Sequence, residues 1–399
     1  MTVAAELEIL RPGFRFDSAE VDRARERKWY ARTEKGPLVL RHKEAVELDK
    51  DNRLGPNGSH HREMMGLSNG PVYDWFEHNL QNVDAATHSR LRSMLLGLLP
   101  RHADIDTARH IRETVWTLAE RMANRSAVDW MQAFADPLPV AVLCRILGIP
   151  VEQSAEFARI SADSGLILAM DIGGVRDRAE RAVADLHAYV SALVAQRRGR
   201  PRDDRVSRAV AACAIGDDDV IEAELHNLLM TLIMGGRETT ARQLGWLGVA
   251  FARAPDQWVW LRDHPEAATQ AAWEVLRWGS VVRINLRWPG ADLVYQDLEI
   301  THGTPVLVCH AAADRDPTVF ERPHDFDIRT KRGSVPLAFG RGIHRCVGSA
   351  LALLQLTETL RILPKMFEPP VFVGDIRWRP ESCLLYGPEF VPVSLAPVA

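Results

Sequence analysis

Residues Phe339 to Gly348 read Phe-Gly-Arg-Gly-Ile-His-Arg-Cys-Val-Gly, three glycines spaced around one cysteine. Such glycines let a backbone turn sharply and pass close to a flat object. The apolar run Ser349 to Leu356 reads as a helix, which places Cys346 just before a helix N-terminus. There the aligned peptide dipoles amount to roughly half a positive charge and N–H groups are unpaired, which favours a thiolate over a thiol. A thiolate held this way can bind iron, and as an axial ligand it promotes cleavage of an O–O bond. Taken alone, Cys346 reads more simply as a small buried hydrophobe beside a tight turn.

A second set of reactive side chains, Glu238 and Thr239, directly follows Gly235-Gly236-Arg237. It sits mid-way along an apolar-periodic segment from Ile221 to about Arg253, led in by Asp217, Asp218 and Asp219 and closed by Ala254-Pro255-Asp256. Acidic residues suit a helix start and proline ends one. At 1.5 Å per residue this helix spans roughly 50 Å. Two adjacent glycines cost about 1 kcal/mol each relative to alanine, so a local widening of the helix that admits a small ligand is expected there. Close helix packing is the plainer use of the same glycines. Glu238 and Thr239 supply an acid and a hydroxyl for proton relay.

The elements that must position these groups are mostly helical. Apolar periodicity marks helices from Asp84 to near Pro100, from Ile105 to Ala123, and from about Pro139 to Leu147, the last stopped by Gly148-Ile149-Pro150. His88 and Arg92, four apart, share one helical face. Residues 66–83 read as loop, with Tyr73, Trp75 and Phe76 serving either as a lid over a pocket or as pins to the core. The apolar, glycine-flanked stretch 165–174 reads as a hinge or a buried helix end, and Arg197, Arg198, Arg200, Arg202 and Arg205 around Pro201 as a solvated surface turn. Gly36 to Leu40 reads as a strand, and Leu298-Glu-Ile300 turning through Thr301-His302-Gly303 into Thr304 to Val308 as a hairpin.

Composition bounds the function. The 399 residues are 46% apolar and 26% charged, enough for a large core, and the net charge of −4 argues against nucleic acid as a partner. Glu6, Glu8, Arg11, Arg15 and Asp17 break any apolar run near the start, so no signal peptide or membrane anchor is expected, and a cytoplasmic protein is. Five scattered cysteines without Cys-x-x-Cys spacing exclude a zinc framework and fit reduced thiols.

The loop pattern Phe-Gly-x-Gly-x-His-x-Cys-x-Gly closely resembles the haem-binding loop of the cytochromes P450. Further motifs of that family recur in order. His88-x-x-x-Arg92 resembles its propionate-binding pair, Gly235-Gly-Arg-Glu238-Thr239-Thr240 its distal-helix motif, and Glu274-Val-Leu-Arg277 its structural ion pair. Ala313-Asp314-Arg315-Asp316-Pro317 resembles its Ala-Asn-Arg-Asp-Pro. Gly235 stands at the family's usual alanine. The triplet Pro-x-Arg-Phe reads Pro323-His324-Asp325-Phe326, which leaves Arg322 or His324 as third partner of the ion pair. Leu351-Ala-Leu353-Leu-Gln355 departs from the family's Leu-Ala-Arg-x-Glu, which puts a carried-over docking surface in doubt.

The resemblance implies a mainly α P450 fold: one helical domain over residues 1–399, with a small β-rich side region around a buried haem b (iron protoporphyrin IX). Cys346 would bind the iron, and His88, Arg92, Arg287, His344, Phe339, Gly340, Gly348 and Gly235 would contact the cofactor. Glu238 and Thr239 would manage protons. Trp75, Phe76, Leu232, Gly235, Val282, Asn285, Leu384 and Leu385 are candidate pocket residues for a hydrophobic or aromatic small molecule. Only about fifty residues follow Cys346, too few for a fused reductase. Electrons from NAD(P)H would arrive through a ferredoxin reductase and a ferredoxin, for which Arg341 and Arg345 offer a basic surface. A soluble monomer that oxidises its substrate with O2, in secondary metabolism, is the implied protein. Two rivals are a peroxygenase of the same fold using H2O2, which would not need Glu238 and Thr239, and a non-catalytic haem-thiolate binding or sensing protein. The latter would need a second protein ligand, and no Cys, His or Met follows Gly235 in the central motif.

Overall fold

The computed structural model describes residues 6–55, 62–63, 65–83, 85–100, 104–168, 173–213, 218–381 and 383–398. Asp84, Asp217 and residues 169–172 of the expected hinge lie outside them. The architecture is organised on one helix of 36 residues, Asp218–Arg253. Its apolar residues Leu228, Ile233, Leu244, Leu247 and Phe251 are buried in the main core together with Ile111, Val115 and Leu118 of helix Ile105–Ala123 and Leu356, Leu360 and Leu363 of helix Ser349–Met366.

Small residues let other elements come close to the central helix. A side chain at Gly248 would lie 2.8 Å from the indole of Trp130, whose N–H donates to Leu244 O at 2.9 Å. At the motif itself the two glycines differ. Gly236 faces Leu143 of helix Pro137–Leu147, where a Cβ would meet the leucine methyl at 3.1 Å. Gly235 is exposed, with no atom within 4 Å of an added Cβ. Close packing therefore accounts for Gly236 alone. The expected widening is absent, because α-helix runs unbroken through Gly235 and Gly236.

The helices from Ile105 to Ala123 and up to Leu147 end where the sequence places their stops. Asp104 caps the first by accepting from the N–H groups of Asp106 and Thr107. Gly148 closes the second in a left-handed conformation, φ 66°. Residues 66–83 are not simply loop: Pro71–Glu77 is a helix with proline in its first turn, and Trp75 and Phe76 are buried in the core. The aromatics therefore pin this segment. The arginine run is also more than a solvated turn. Arg197, 1% exposed, donates to Asp204 at 2.6 Å and to Gly148 O at 2.8 Å, while Arg205 binds Leu99 O and Asp104. Arg198 and Arg208 do form exposed ion pairs, with Glu222 and Asp203.

The side region is a five-stranded sheet in the order Tyr30–Thr33, Gly36–Val39, Val306–Cys309, Ile284–Pro289, Leu54–Gly55. The expected hairpin across residues 298–308 does not form. Leu298–Ile300 pairs instead with Leu293–Tyr295 through a turn at Gln296, and Val306–Cys309 joins the large sheet. Apolar runs on both sides of a turn fix two strands but not their pairing, and Val306 to Cys309, all buried, need a sheet covered on both faces.

Neither Arg322 nor His324 completes the Glu274–Arg277 pair. Glu274 and Arg277 are buried and bonded twice at 2.8 Å, and the third partner is Arg332, whose Nη2 reaches Glu274 Oε1 at 2.6 Å. Arg322 pairs on the surface with Asp327, and His324 with Asp22. Removing one member of a buried ion pair costs about 3–5 kcal/mol, whereas surface substitutions stay within about 0.5 kcal/mol. Arg332→Ala is therefore expected to lower the denaturation midpoint sharply in urea melts, and Arg322→Ala to leave it near wild type.

Candidate active site

The loop before helix Ser349–Met366 is two short 3-10 turns, Leu337–Phe339 and Gly342–His344, joined through Gly340 and Gly342. Both glycines have left-handed φ, 63° and 72°, and a side chain at Gly342 would lie 2.8 Å from Asp49 O. The loop is held from outside by Leu337 N–H, which Asp314 accepts at 2.9 Å, and from inside by Cys346 N–H, which donates to Phe339 O at 2.9 Å. Phe339 packs edge-on against Trp273. Cys144, Cys213 and Cys309 are buried, but Cys346 presents an exposed face although protein surrounds it. Burial raises the Cys346 thiol above its ordinary value, and the N–H groups of Gly348 and Ser349 with Arg92 and Arg345 only partly offset this. Ionisation at this sulfur needs a cation, and a metal that binds a thiol deprotonates it.

Four basic side chains converge on the same loop. His88 and Arg92 project from helix Ala85–Leu98. The His88 ring meets His344 edge-on at 4.5 Å, and Arg92 donates to Arg345 O at 2.9 Å. Burial holds His344 down at about 4, aided by the charges of Arg287, His88 and Arg92, and burial likewise lowers His88. Both imidazoles are therefore neutral near pH 7. Arg287, on strand Ile284–Pro289, is buried and donates to Asp49 at 3.1 Å. Arg287 Nε and His344 Nδ1 are buried and have no partner among the described residues. Arg287 Nε–H is an unmet donor, and His344 Nδ1 is one in the tautomer that carries its proton there; such donors call for an anion. A sulfur with an open face beside donors for carboxylates fits an iron porphyrin bearing two propionates.

On the central helix, Thr239 donates its hydroxyl to Gly235 O, one turn back on an open stretch. Glu238 is buried and turned elsewhere. It pairs with Arg379, lies 4.0 Å from Arg242, and fills the space left by the missing side chain of Gly165, with Oε2 unpartnered among the described residues. Acid and alcohol are adjacent in sequence yet hold different partners.

Among the candidate pocket residues, Val282 and Leu385 meet in a β-bridge, Leu384 is half-buried beside them and Leu232 is buried on the central helix. Asn285 is committed to Asp49 and touches the cysteine loop at Gly340. Trp75 and Phe76 stack edge-on, and Trp75 O accepts from Asn227. Residues that motif reasoning missed include Arg379, Asp49, His310 and Arg283, the last tied to Glu381 and to Cys383 O and lying over Tyr386. All act through contacts far apart in sequence, for which no local spacing exists.

Comparison with known proteins now bears on the site. A family model described as Cytochrome P450 matches residues 266–370. Luteothin monooxygenase of Streptomyces thioluteus is 36% identical over 389 residues, 97% of this chain and 95% of that protein. The chain belongs to the cytochrome P450 family. Its polyketide biosynthesis relative PksS of Bacillus subtilis is 30% identical over 90% of this chain and 89% of its own. The solved structure of PksS superposes with a TM-score of 0.83 at 28% identity, over 96% of this P450 and 98% of that chain. The mainly α P450 fold is thereby shown, and the chain is a P450 monooxygenase. Family membership implies a haem cofactor, which the donor set above fits. Among the described residues no helix is long and apolar enough to cross a membrane.

Asp314, where the family has asparagine, is fully buried, and burial lifts its carboxyl to about 6 despite the Leu337 N–H and the charges of His310, Arg277 and Arg315. A folded-state value above the unfolded one near 3.8 means that the folded protein holds more protons, so this group costs stability as pH rises from about 4 to 6. Asp314→Asn is therefore expected to gain stability relative to wild type across that window and to keep a constant advantage above it, read from denaturation midpoints against pH. A pH-independent difference would contradict the assignment.

Proposed function

We propose that this P450 uses dioxygen to oxidise a hydrophobic or aromatic small molecule of secondary metabolism, by hydroxylation, epoxidation or oxidative coupling. The single observation that carries the reading is the convergence of an exposed cysteine and four basic side chains on one loop, with buried nitrogens of Arg287 and His344 lacking partners. Haem b, bound through Cys346 Sγ, supplies reductive activation of dioxygen. His88, Arg92, Arg287 and His344 hold its carboxylates through charge-assisted and neutral N–H donors. Gly235, Gly340 and Gly348 would leave room for the group, and Phe339, in the sulfur loop itself, is held by Trp273.

Thr239 Oγ1 holds a proton at the open turn of the central helix and releases it once its bond to Gly235 O opens. Glu238, once it has left Arg379 and taken up a proton from water, resupplies the one Thr239 gave; Arg379 also lies 3.7 Å from the partly exposed Glu389, which can receive the guanidinium when the acid leaves it. Leu232, Val282, Leu384 and Leu385 offer apolar contacts to the substrate. The names of the relatives, a luteothin monooxygenase and a polyketide biosynthesis P450, support a secondary metabolite as the substrate class. Electrons reach the site from NAD(P)H through a ferredoxin reductase and a ferredoxin docking near Arg341 and Arg345. The protein acts as a monomeric single domain in the cytoplasm.

Optical titration of the ferric protein with polyketides, macrolides, terpenoids and aromatic acids is the test. A saturable low- to high-spin shift with one class, and NAD(P)H-dependent product from it with surrogate ferredoxin, is expected. Thr239→Ala should then lose about 10²-fold in product formation while NAD(P)H is still consumed. Sustained turnover on peroxide alone, unchanged in Thr239→Ala, would overturn the proton-relay role. Arg287→Ala is expected to lose haem to an apomyoglobin acceptor about tenfold faster, the scale of one charge-assisted hydrogen bond.

A further inference from the structure

Asp49 lies in the last turn of helix His42–Lys50, and its side chain is completely buried. Its Oδ1 accepts from Arg287 Nη2 at 3.1 Å and from Asn285 Nδ2 at 3.3 Å, and its Oδ2 faces His310 Nε2 at 3.1 Å. Burial pushes the carboxyl up, yet the charges of His310 and Arg287 and the hydrogen bonds of His310 and Asn285 outweigh it and bring it to about 2. Asp49 is thus an anion whose counter-charges lie inside the protein.

Stability does not explain it. Asn285, Arg287 and Cys309 already have sheet partners through their backbones, and their neighbours Leu307 and Val308 are buried apolar residues. A buried ion cluster among such residues is often matched or bettered by hydrophobic side chains of similar volume. What the cluster does have is a place against the cysteine loop. A side chain on Gly342 would strike Asp49 O at 2.8 Å, and one on Gly340 would lie 3.8 Å from Asp49 Oδ2. Asp49 therefore stands between the loop that carries Cys346 and the guanidinium of Arg287, whose Nε stays buried and unpartnered among the described residues.

We propose that Asp49, backed by His310, is a positioning residue that fixes the Arg287 guanidinium and offsets its charge, so that haem retention and reduction potential depend on a carboxylate acting through Arg287. A group one step removed from a metal site commonly orients the groups that touch it. The inference rests on the reading of Arg287 as a haem-edge donor. Loss of the negative charge leaves Arg287 uncompensated, which favours the ferrous state, and frees its side chain to move.

The test uses the haem-loaded full chain carrying Asp49→Asn, with Asp49→Leu/His310→Leu as a second variant that replaces the ion pair by apolar packing. Haem transfer to apomyoglobin and the ferric/ferrous midpoint potential are read beside the denaturation midpoint. Asp49→Asn is expected to lose haem about tenfold faster and to raise the ferrous-to-ferric ratio at fixed potential by about tenfold, a shift of about 59 mV for one electron. The double variant, in which no charged residue at 310 needs a partner, should keep both haem effects. Wild-type haem loss and potential in Asp49→Asn would overturn the proposal. So would their full recovery in the double variant, since Asp49 would then serve only to pair His310. If Arg287→Ala itself leaves haem retention unchanged, the haem-edge reading fails first; if Arg287→Ala weakens retention and Asp49→Asn does not, only the role of Asp49 fails.

Discussion

A cysteine that must ionise inside the protein sets the terms for the structure around it. Burial raises the Cys346 thiol above its ordinary value, and the two N–H groups behind it with Arg92 and Arg345 only partly offset this. The charge on the sulfur therefore depends on the metal, while the protein contributes geometry: a loop that two left-handed glycines press onto the end of helix His42–Lys50. That loop brings its own need. His88, Arg92, Arg287 and His344 crowd a small volume, burial keeps both histidines neutral, and the remaining charge calls for carboxylates. Asp49 meets part of that need from within the fold.

The opposite side of the site follows a different constraint. A long helix crossing the core cannot open without losing backbone hydrogen bonds, and it runs as α-helix through its adjacent glycines. On the proposed reading, access comes from the missing side chain at Gly235 and from Thr239 turning its hydroxyl back onto the helix. Glu238 lies in a separate buried ion network with Arg379 and Arg242, reached from the C-terminal strands. Proton supply in this account requires that network to let go of the acid, which makes Arg379 as much a part of the relay as Thr239.

Much of this was legible in the sequence wherever a chemical task is written in consecutive residues. The cysteine loop, the pair His88 and Arg92, the central glycines and the Glu274–Arg277 pair each occupy one turn or one helical face, and their resemblance to the family's motifs, rather than spacing alone, singles them out. Long-range pairing was not legible. Arg332 took the place expected for Arg322 or His324 because a loop folds back on Glu274, and Asp49 meets His310 across 261 residues. The strand Val306–Cys309 joined a sheet rather than a hairpin for the same reason: its buried apolar residues fix what it must be covered by, not by which segment. The helix Pro71–Glu77 was hidden by its short length and by the glycine and proline that open it.

The central claim is that Cys346 is the sulfur that binds the haem iron. The most direct measurement is the optical spectrum of the reduced, carbon monoxide-bound protein beside that of Cys346→Ser. A thiolate ligand predicts the red-shifted band in the wild type and its loss in the variant with the haem still bound. Persistence of that band in Cys346→Ser would place the ligand elsewhere and contradict the account.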